Sequence, residues 1–250
     1  MKIIFHEKYR EEYAFDPAAK SGRLDKAVEV LEPHFEFVQP DMCTEQDVLR
    51  VHTKSHFDMV SEASQLFTLS LLAAGGAVEA AELAVQGEPT FALIRPPGHH
   101  ASPDDCWGFC WFNNIAVAIE KLRMEGKINK AFILDFDLHF GDGTRNYFSG
   151  IPEVTYFHMD SVNSLPMTLN NVEECDIVAV SAGFDRHIED WGGMLSTMDY
   201  NEIGVQVKQM SDRICPNKVF AVLEGGYNNT VLAESVRAFC EGLEGKAHGK

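Results

Sequence analysis

The sequence predicts an α/β fold built on a mostly parallel sheet covered by helices. Three observations predict it. Short apolar runs alternate with helical stretches along most of the chain. Each run is almost continuously apolar rather than alternating, as expected of strands buried on both faces. Most of the runs end in glycines or ionisable residues, where open α/β sheets place their ligands.

The elements follow in order. Lys2–Phe5 is a short apolar run. Arg23–Leu31 carries Leu24, Ala27, Val28 and Leu31 at helical spacing and stops before Pro33. Thr44-Glu-Gln-Asp47 resembles a capping box and opens a short helix. Leu66–Val85 is rich in Leu and Ala and ends at Gly87, which suits a long buried helix with a glycine cap. The remaining predicted strands are Phe91–Ile94, Ala131–Leu134, Val154–Phe157, Ile177–Val180 and Val219–Leu223. Helices are predicted at Asn114–Glu125, Asp199–Ile214 and Val231–Leu243. No repeat or linker divides the chain, so a single domain is expected over residues 1–250.

Composition narrows the class of function. The formal charge of −17 disfavours nucleic-acid binding and adhesion to anionic membranes, and permits a cationic substrate. The uncharged run Ala63–Val78 falls short of the ~20 apolar residues a membrane helix needs. The start, MKIIFHEKYREEY, lacks the apolar core of a signal peptide, so export is not expected. Six scattered cysteines form no CxxC pair and read as reduced thiols in a cytoplasm. A homo-oligomer is compatible with the sequence, which does not fix the oligomeric state.

The strand ends carry the chemistry. Asp137 and His139, two apart on an extended segment, point the same way. Asp185, after another strand, completes two oxygen donors and one nitrogen, a set suited to a catalytic divalent ion with an open position. Zn²⁺, Fe²⁺, Mn²⁺ and Co²⁺ all fit such donors. His99 and His100 follow a rigid Pro-Pro-Gly turn, and Asp135 and Asp142 are free to pair with them as His–Asp dyads for acid/base work. Glu224-Gly-Gly-Tyr227 is either an ordinary glycine turn or a close backbone approach to a ligand, with the Tyr227 hydroxyl donating to an oxyanion. Trp107-Gly108-Phe109 and Trp111-Phe112 form an aromatic cluster, mostly core, with one or two rings available to wall a channel.

RPPGHHA, GFCWFNNIAVA, LDFDLHFGDGT, VSAGFD and EGGYN, in this order, resemble the zinc-dependent deacetylases. That family comprises histone deacetylases, acetylpolyamine amidohydrolases and acetoin-utilisation proteins, and the wording is most similar to the class II type. The resemblance implies a three-layer α/β/α fold of the arginase-deacetylase type. It implies one Zn²⁺ on Asp137, His139 and Asp185. It implies His99 paired with Asp135, His100 paired with Asp142, and Tyr227 polarising the acyl carbonyl. Gly108 and Phe109 would line the substrate channel, as would Gly225 and Gly226. A monovalent cation, K⁺, would sit on backbone carbonyls of Asp135, Asp137 and His139. The implied reaction removes acetyl or other short acyl groups from acetylpolyamines or acetyl-lysine.

The sequence departs from the family pattern in places. Only a short segment separates His158 from Asp185, and nothing in Met159–Glu174 replaces the second aromatic wall that the family's insert carries, so a shallower, wider pocket is expected. Phe140 stands where many relatives have a second His, and Tyr156 replaces a small residue at the cation site. Two other readings compete. A binuclear manganese ureohydrolase on the same fold would need an Asp where Gly141 stands, although His187 and Asp190 echo such a metal loop. A non-catalytic acyl-amine binder would lack chemistry that these residues supply.

Overall fold

The computed structural model describes residues 1–248. The last two residues of the expected domain lie outside the described residues. Seven strands form one sheet: β1 (Lys2–Ile4), β2 (Glu36–Val38), β3 (Thr90–Ala92), β4 (Ala131–Asp135), β5 (Val154–His158), β6 (Ile177–Ala182) and β7 (Val219–Leu223). The order is β2-β1-β3-β7-β6-β4-β5 and every pairing is parallel. The sheet is thus fully parallel where the sequence predicted a mostly parallel one. Strand β2, which was not predicted, is a three-residue edge strand with no fully buried residue.

The helices are α1 (Asp25–Leu31), α2 (Glu45–Val48), α3 (Lys54–Ser61), α4 (Ser64–Val85), α5 (Asn114–Met124), α6 (Asp142–Phe148), α7 (Leu165–Asn170), α8 (Thr197–Ile214) and α9 (Asn229–Leu243). Alternate side chains of β3 show how they form two layers. Thr90 donates its hydroxyl proton to the Ala80 carbonyl of α4 at 2.7 Å. Phe91 points to the opposite face and meets Phe239 of α9, ring centres 6.1 Å apart. Helices α4 and α5 pack together on one side, and α9 packs with α1 and α8 on the other. The result is the predicted three-layer arrangement.

Helix α4 has 22 residues and is apolar enough, by length and composition, to cross a bilayer. Its alanines 73, 74, 77, 80, 81 and 84 are buried in the fold. The small side chains let the helix lie close to the sheet. Thr44 caps α2 through a reciprocal capping box with Asp47, as predicted, and Ser196 does the same for α8 with Asp199.

The strand order positions the site. The parallel strands β3, β7, β6, β4 and β5 are consecutive neighbours, and their carboxyl ends lie along one edge. That edge receives His99 and His100 from β3, Glu224–Tyr227 from β7, Asp185 from β6, Asp135–His139 from β4 and His158 from β5.

Candidate active site

At the base of the site the ligand-type atoms of Asp137, His139 and Asp185 lie within 4.8 Å of one another. Both carboxylates are oriented by backbone N–H donors. Asp137 Oδ1 accepts from His139 N at 2.9 Å, and its Oδ2 from Gly225 N at 2.8 Å. Asp185 Oδ1 accepts from Leu138 N at 3.0 Å. His139 turns Nδ1 toward both, 3.2 Å from Asp137 Oδ1 and 3.2 Å from Asp185 Oδ2.

These residues fit a divalent ion. Asp185 Oδ2 is buried and makes no well-aligned hydrogen bond, its nearest donor being the His139 ring at 3.2 Å, and a buried carboxylate oxygen so placed is costly unless a cation meets it. The carboxylates of Asp137 and Asp185 push the His139 imidazole up to about 10. That same field favours any cation placed between them. Burial, reinforced by the Asp137 charge, raises Asp185 to about 6. His139 is 40% exposed toward the cavity, which leaves an open side. Gly225 closes the back: a Cβ there would sit 2.7 Å from both Asp137 Oδ2 and Asp185 Oδ2, so only glycine fits.

Two His–Asp pairs stand beside this cluster. His99 Nδ1 is 3.1 Å from Asp135 Oδ2, and His100 Nδ1 is 2.7 Å from Asp142 Oδ1. Because each carboxylate can only accept, Nδ1 is assigned the proton in both. The rings differ in electrostatics. Burial opposes charge on His99, but Asp137, Asp135 and Glu224 outweigh it and raise that imidazole well above its ordinary value. Burial and then the neighbouring His99 charge depress His100 to about 4, against the pull of Asp142. One histidine is thus set up as a cation and the other as a neutral base.

Glu224 anchors the histidine turn from below, its Oε2 accepting from Gly98 N at 2.7 Å and His99 N at 3.2 Å. His99, Cys110 and Glu224 form a second convergent group of ligand-type atoms. Burial pushes Glu224 up to about 7 and keeps the Cys110 thiol protonated. A thiol is a poor metal ligand, so the Asp–His–Asp set is the better one.

Above the cluster is a cavity of about 280 Å³, walled by aromatic rings. Gly108 (φ 60°) and Phe109 (φ 67°) both take left-handed backbone that carries Phe109 into the wall. Trp107 covers His100, ring centres 3.9 Å apart, and its indole N–H donates to Asp142 Oδ2 at 2.8 Å. Tyr227 lines the cavity with its ring stacked on Trp191 at 4.0 Å, and burial raises its phenol far above the ordinary value. Gly225 lines it as well, whereas Gly226 (φ 120°), where a Cβ would run into Leu232 and Phe184, forms none of the wall. Of the residues predicted to line the channel, Gly226 is the one the structure sets behind it.

Sequence reasoning missed Trp191. It faces Phe109 at 6.5 Å, edge to face, and supplies a second aromatic wall from the loop after Asp185 instead of from the absent insert. The only signal was a lone Trp in a glycine-rich loop beyond a strand end. Met159–Glu174 contributes nothing to the cavity; Leu165 and Leu169 of α7 are buried in the core beside α8. Arg23 was also missed as a site residue. Its buried guanidinium lies 5.3 Å from the Tyr227 ring and donates to the Gly226 carbonyl at 2.8 Å and the Glu224 carbonyl at 2.6 Å.

The echo of a binuclear metal loop has another explanation. Asp190 Oδ2 accepts from Tyr227 N and Asn228 N, each at 2.7 Å, and ties the tyrosine loop down. His187 is occupied at both nitrogens, by Glu189 N and the Thr197 hydroxyl. Neither joins the Asp137–His139–Asp185 cluster.

Comparison with known proteins agrees with this geometry. The family model of the histone deacetylase domain matches residues 17–175 and 168–243. A probable deacetylase of Methanothermobacter thermautotrophicus is 30% identical, over 98% of this chain and 92% of its own. One from Archaeoglobus fulgidus is 29% identical, over 90% and 81%. Histone deacetylase 14, chloroplastic, of Arabidopsis thaliana is 31% identical over 69% of this chain and 52% of its own. The crystal structure of the HDA15 HD domain shares the fold, with a TM-score of 0.84 at 24% identity over 98% of this chain and 91% of that one. Sequence and fold together place the chain in the histone deacetylase family, hydrolases that act on amide bonds.

Proposed function

We propose that this chain is a metal-dependent amidohydrolase that removes acetyl or other short acyl groups from small cationic amines, acetylpolyamines being the model substrate. The observation that carries the reading is the aromatic-walled 280 Å³ cavity ending on the Asp137–His139–Asp185 cluster. Those three residues would hold one divalent ion, Zn²⁺ by resemblance and Fe²⁺ or Mn²⁺ by donor type. When bound, such an ion polarises an acyl carbonyl and acidifies water.

The chain's own residues do the rest. The walls of Phe109, Trp107 and Trp191 take up the apolar stem of the acyl-amine and exclude water. His100, neutral and held at Nδ1 by Asp142, takes a proton from the attacking water at Nε2 and returns it to the leaving amine. His99, charged against Asp135, adds fixed positive charge beside the developing oxyanion. Tyr227 stays protonated far above neutral pH and donates its hydroxyl proton to that oxyanion.

Two features support a cationic amine. Beyond Trp191 and Tyr227 lies an open groove of about 750 Å³ whose charged side chains are Glu12, Asp16 and Lys20. The chain as a whole carries −17. A polyamine tail leaving the pocket over the tryptophan would meet π-faces and then carboxylates.

The test is a deacetylation screen over acetylpolyamines, acetyl-lysine peptides and acetylated proteins, run with metal analysis. Acetylpolyamine turnover that weakens as salt screens the groove is the expected result. Salt-insensitive deacetylation of acetylated proteins, with no turnover of acetylpolyamines, would overturn the substrate reading.

A further inference from the structure

The K⁺ that the resemblance implies on the Asp135–His139 carbonyls finds its surroundings already engaged by the chain itself. Arg186, 5% exposed, extends its guanidinium into this region. Nε donates to the Asp137 carbonyl at 3.0 Å, Nη1 to the Asp160 carbonyl at 3.3 Å, and Nη2 to His158 Nε2 at 2.9 Å. Arginine only donates, so His158 accepts at Nε2 and carries its proton on Nδ1, which faces Asp135 Oδ1 at 3.8 Å. On the other side, the Tyr156 hydroxyl donates to Asp135 Oδ2 at 2.9 Å and accepts from Gly141 N at 3.0 Å. The Asp135 carbonyl accepts from Met159 N at 2.8 Å. Phe140 lies against this group, its ring 5.7 Å from Tyr156 and 5.5 Å from His158.

We infer that Arg186, with Tyr156 and His158, replaces the monovalent cation beside the catalytic cluster, so that this chain needs no K⁺. The guanidinium is permanently charged, and its donors are fixed in a plane that reaches two carbonyls and an imidazole together. It brings a positive charge to the backbone of Asp137 and, through His158, to the flank of Asp135, where the cation would have acted. A covalently attached charge does not dissociate, so site geometry is uncoupled from K⁺ concentration. Arg186 is on this view a positioning residue; it touches neither the cavity nor the ligand oxygens. The inference does not depend on which amine is the substrate.

The experiment compares thermal unfolding of the metal-loaded protein in about 0.1 M KCl and in choline chloride at equal ionic strength. Wild type should melt within about 1 °C in the two salts. A saturable rise of more than that, produced by KCl and not by choline, would overturn the inference. Arg186→Ala should melt lower in choline and regain about 2–4 °C or more as KCl is added, because the vacated position can then bind the ion. Arg186→Lys should recover stability without K⁺. A destabilised Arg186→Ala that ignores KCl would mean that the arginine is merely structural, and would also overturn the inference. Arg186→Ala/Tyr156→Ser serves as the second variant, since it clears the hydroxyl as well. If neither variant folds, the wild-type comparison decides. Melting needs no substrate, so this test can fail while the proposed deacetylase activity stands, and the reverse.

Discussion

The floor and the rim of the cavity are built by opposite rules. On the floor, Asp135, Asp137, Asp185 and Glu224 are at most 1% exposed, and each accepts from a backbone N–H, Asp135 from its own strand end and the other three from the ends of other strands. On the rim, Trp107 and Trp191 are about half exposed. The floor is rigid and polar where the chemistry would be; the rim is apolar and accessible where a substrate would be chosen. Substitutions in the floor should therefore act on turnover and metal content, and substitutions in the rim on KM and pH profile.

The largest effect is expected at Asp185. Asp185→Ala should reduce bound metal from about one ion per chain to nearly none and bring activity to background. Metal analysis with an acetyl-amine assay checks this, and retained metal would break the division between floor and rim. Next is Tyr227→Phe, which removes one hydroxyl and leaves the ring stack on Trp191. Its kcat should fall by about 10²–10³ with metal content unchanged; a loss of only a few-fold would remove Tyr227 from oxyanion stabilisation.

A smaller effect of a different kind is expected at Trp191. Loss of its stacking on Tyr227, and of the π-face proposed to meet the cationic amine, in Trp191→Ala should raise KM for an acetylpolyamine about tenfold while kcat stays within about threefold. A fall in kcat with unchanged KM would show that the rim positions Tyr227 rather than the substrate.

The smallest effect sharpens the comparison, because here a rim residue tunes the floor. His100, depressed to about 4, is neutral at pH 7 and can act as a base. That capacity is lost as pH falls through its pKa, so the acid limb of kcat/KM should lie below imidazole's ordinary value of about 6.5. Trp107→Ala uncovers His100 and frees Asp142 of the indole donor. Both changes favour the imidazolium, so the limb should move upward by about one pH unit or less. A pH–rate profile of the two proteins checks the sign.

The floor was legible in the sequence because it hangs from strand ends. Short, nearly continuous apolar runs announced β3, β4, β6 and β7, and the residues just beyond them are those the sheet gathers. Glu36–Val38 gave no such run, being a half-exposed edge. Asp142–Phe148 contains Gly, Thr, Asn and two aromatics, poor helix formers. It is helical because Gly143 docks against Ala101 and the Thr144 hydroxyl meets Asn113. Trp191 and Arg186 were illegible for another reason. Each acts on partners far along the chain, Trp191 on Phe109 and Arg186 on His158, and no local spacing encodes such a meeting.

Strand β7 is the last of the seven in chain order and yet lies at the centre of the sheet, between β3 and β6. Until it inserts, β3 and β6 are open edges with unpaired backbone groups. It also delivers Gly225, whose N–H fixes Asp137, and Glu224, which holds the His99 turn. During synthesis the two halves of the sheet must wait for this strand, exposed to mispairing. Asp137, His139 and Asp185 stand on the paired strands β4 and β6 and can meet before β7 arrives, but the Gly225 N–H that orients Asp137 and the Glu224 carboxylate that holds the His99 turn come only with β7, so the same strand that joins the two halves also completes the catalytic floor.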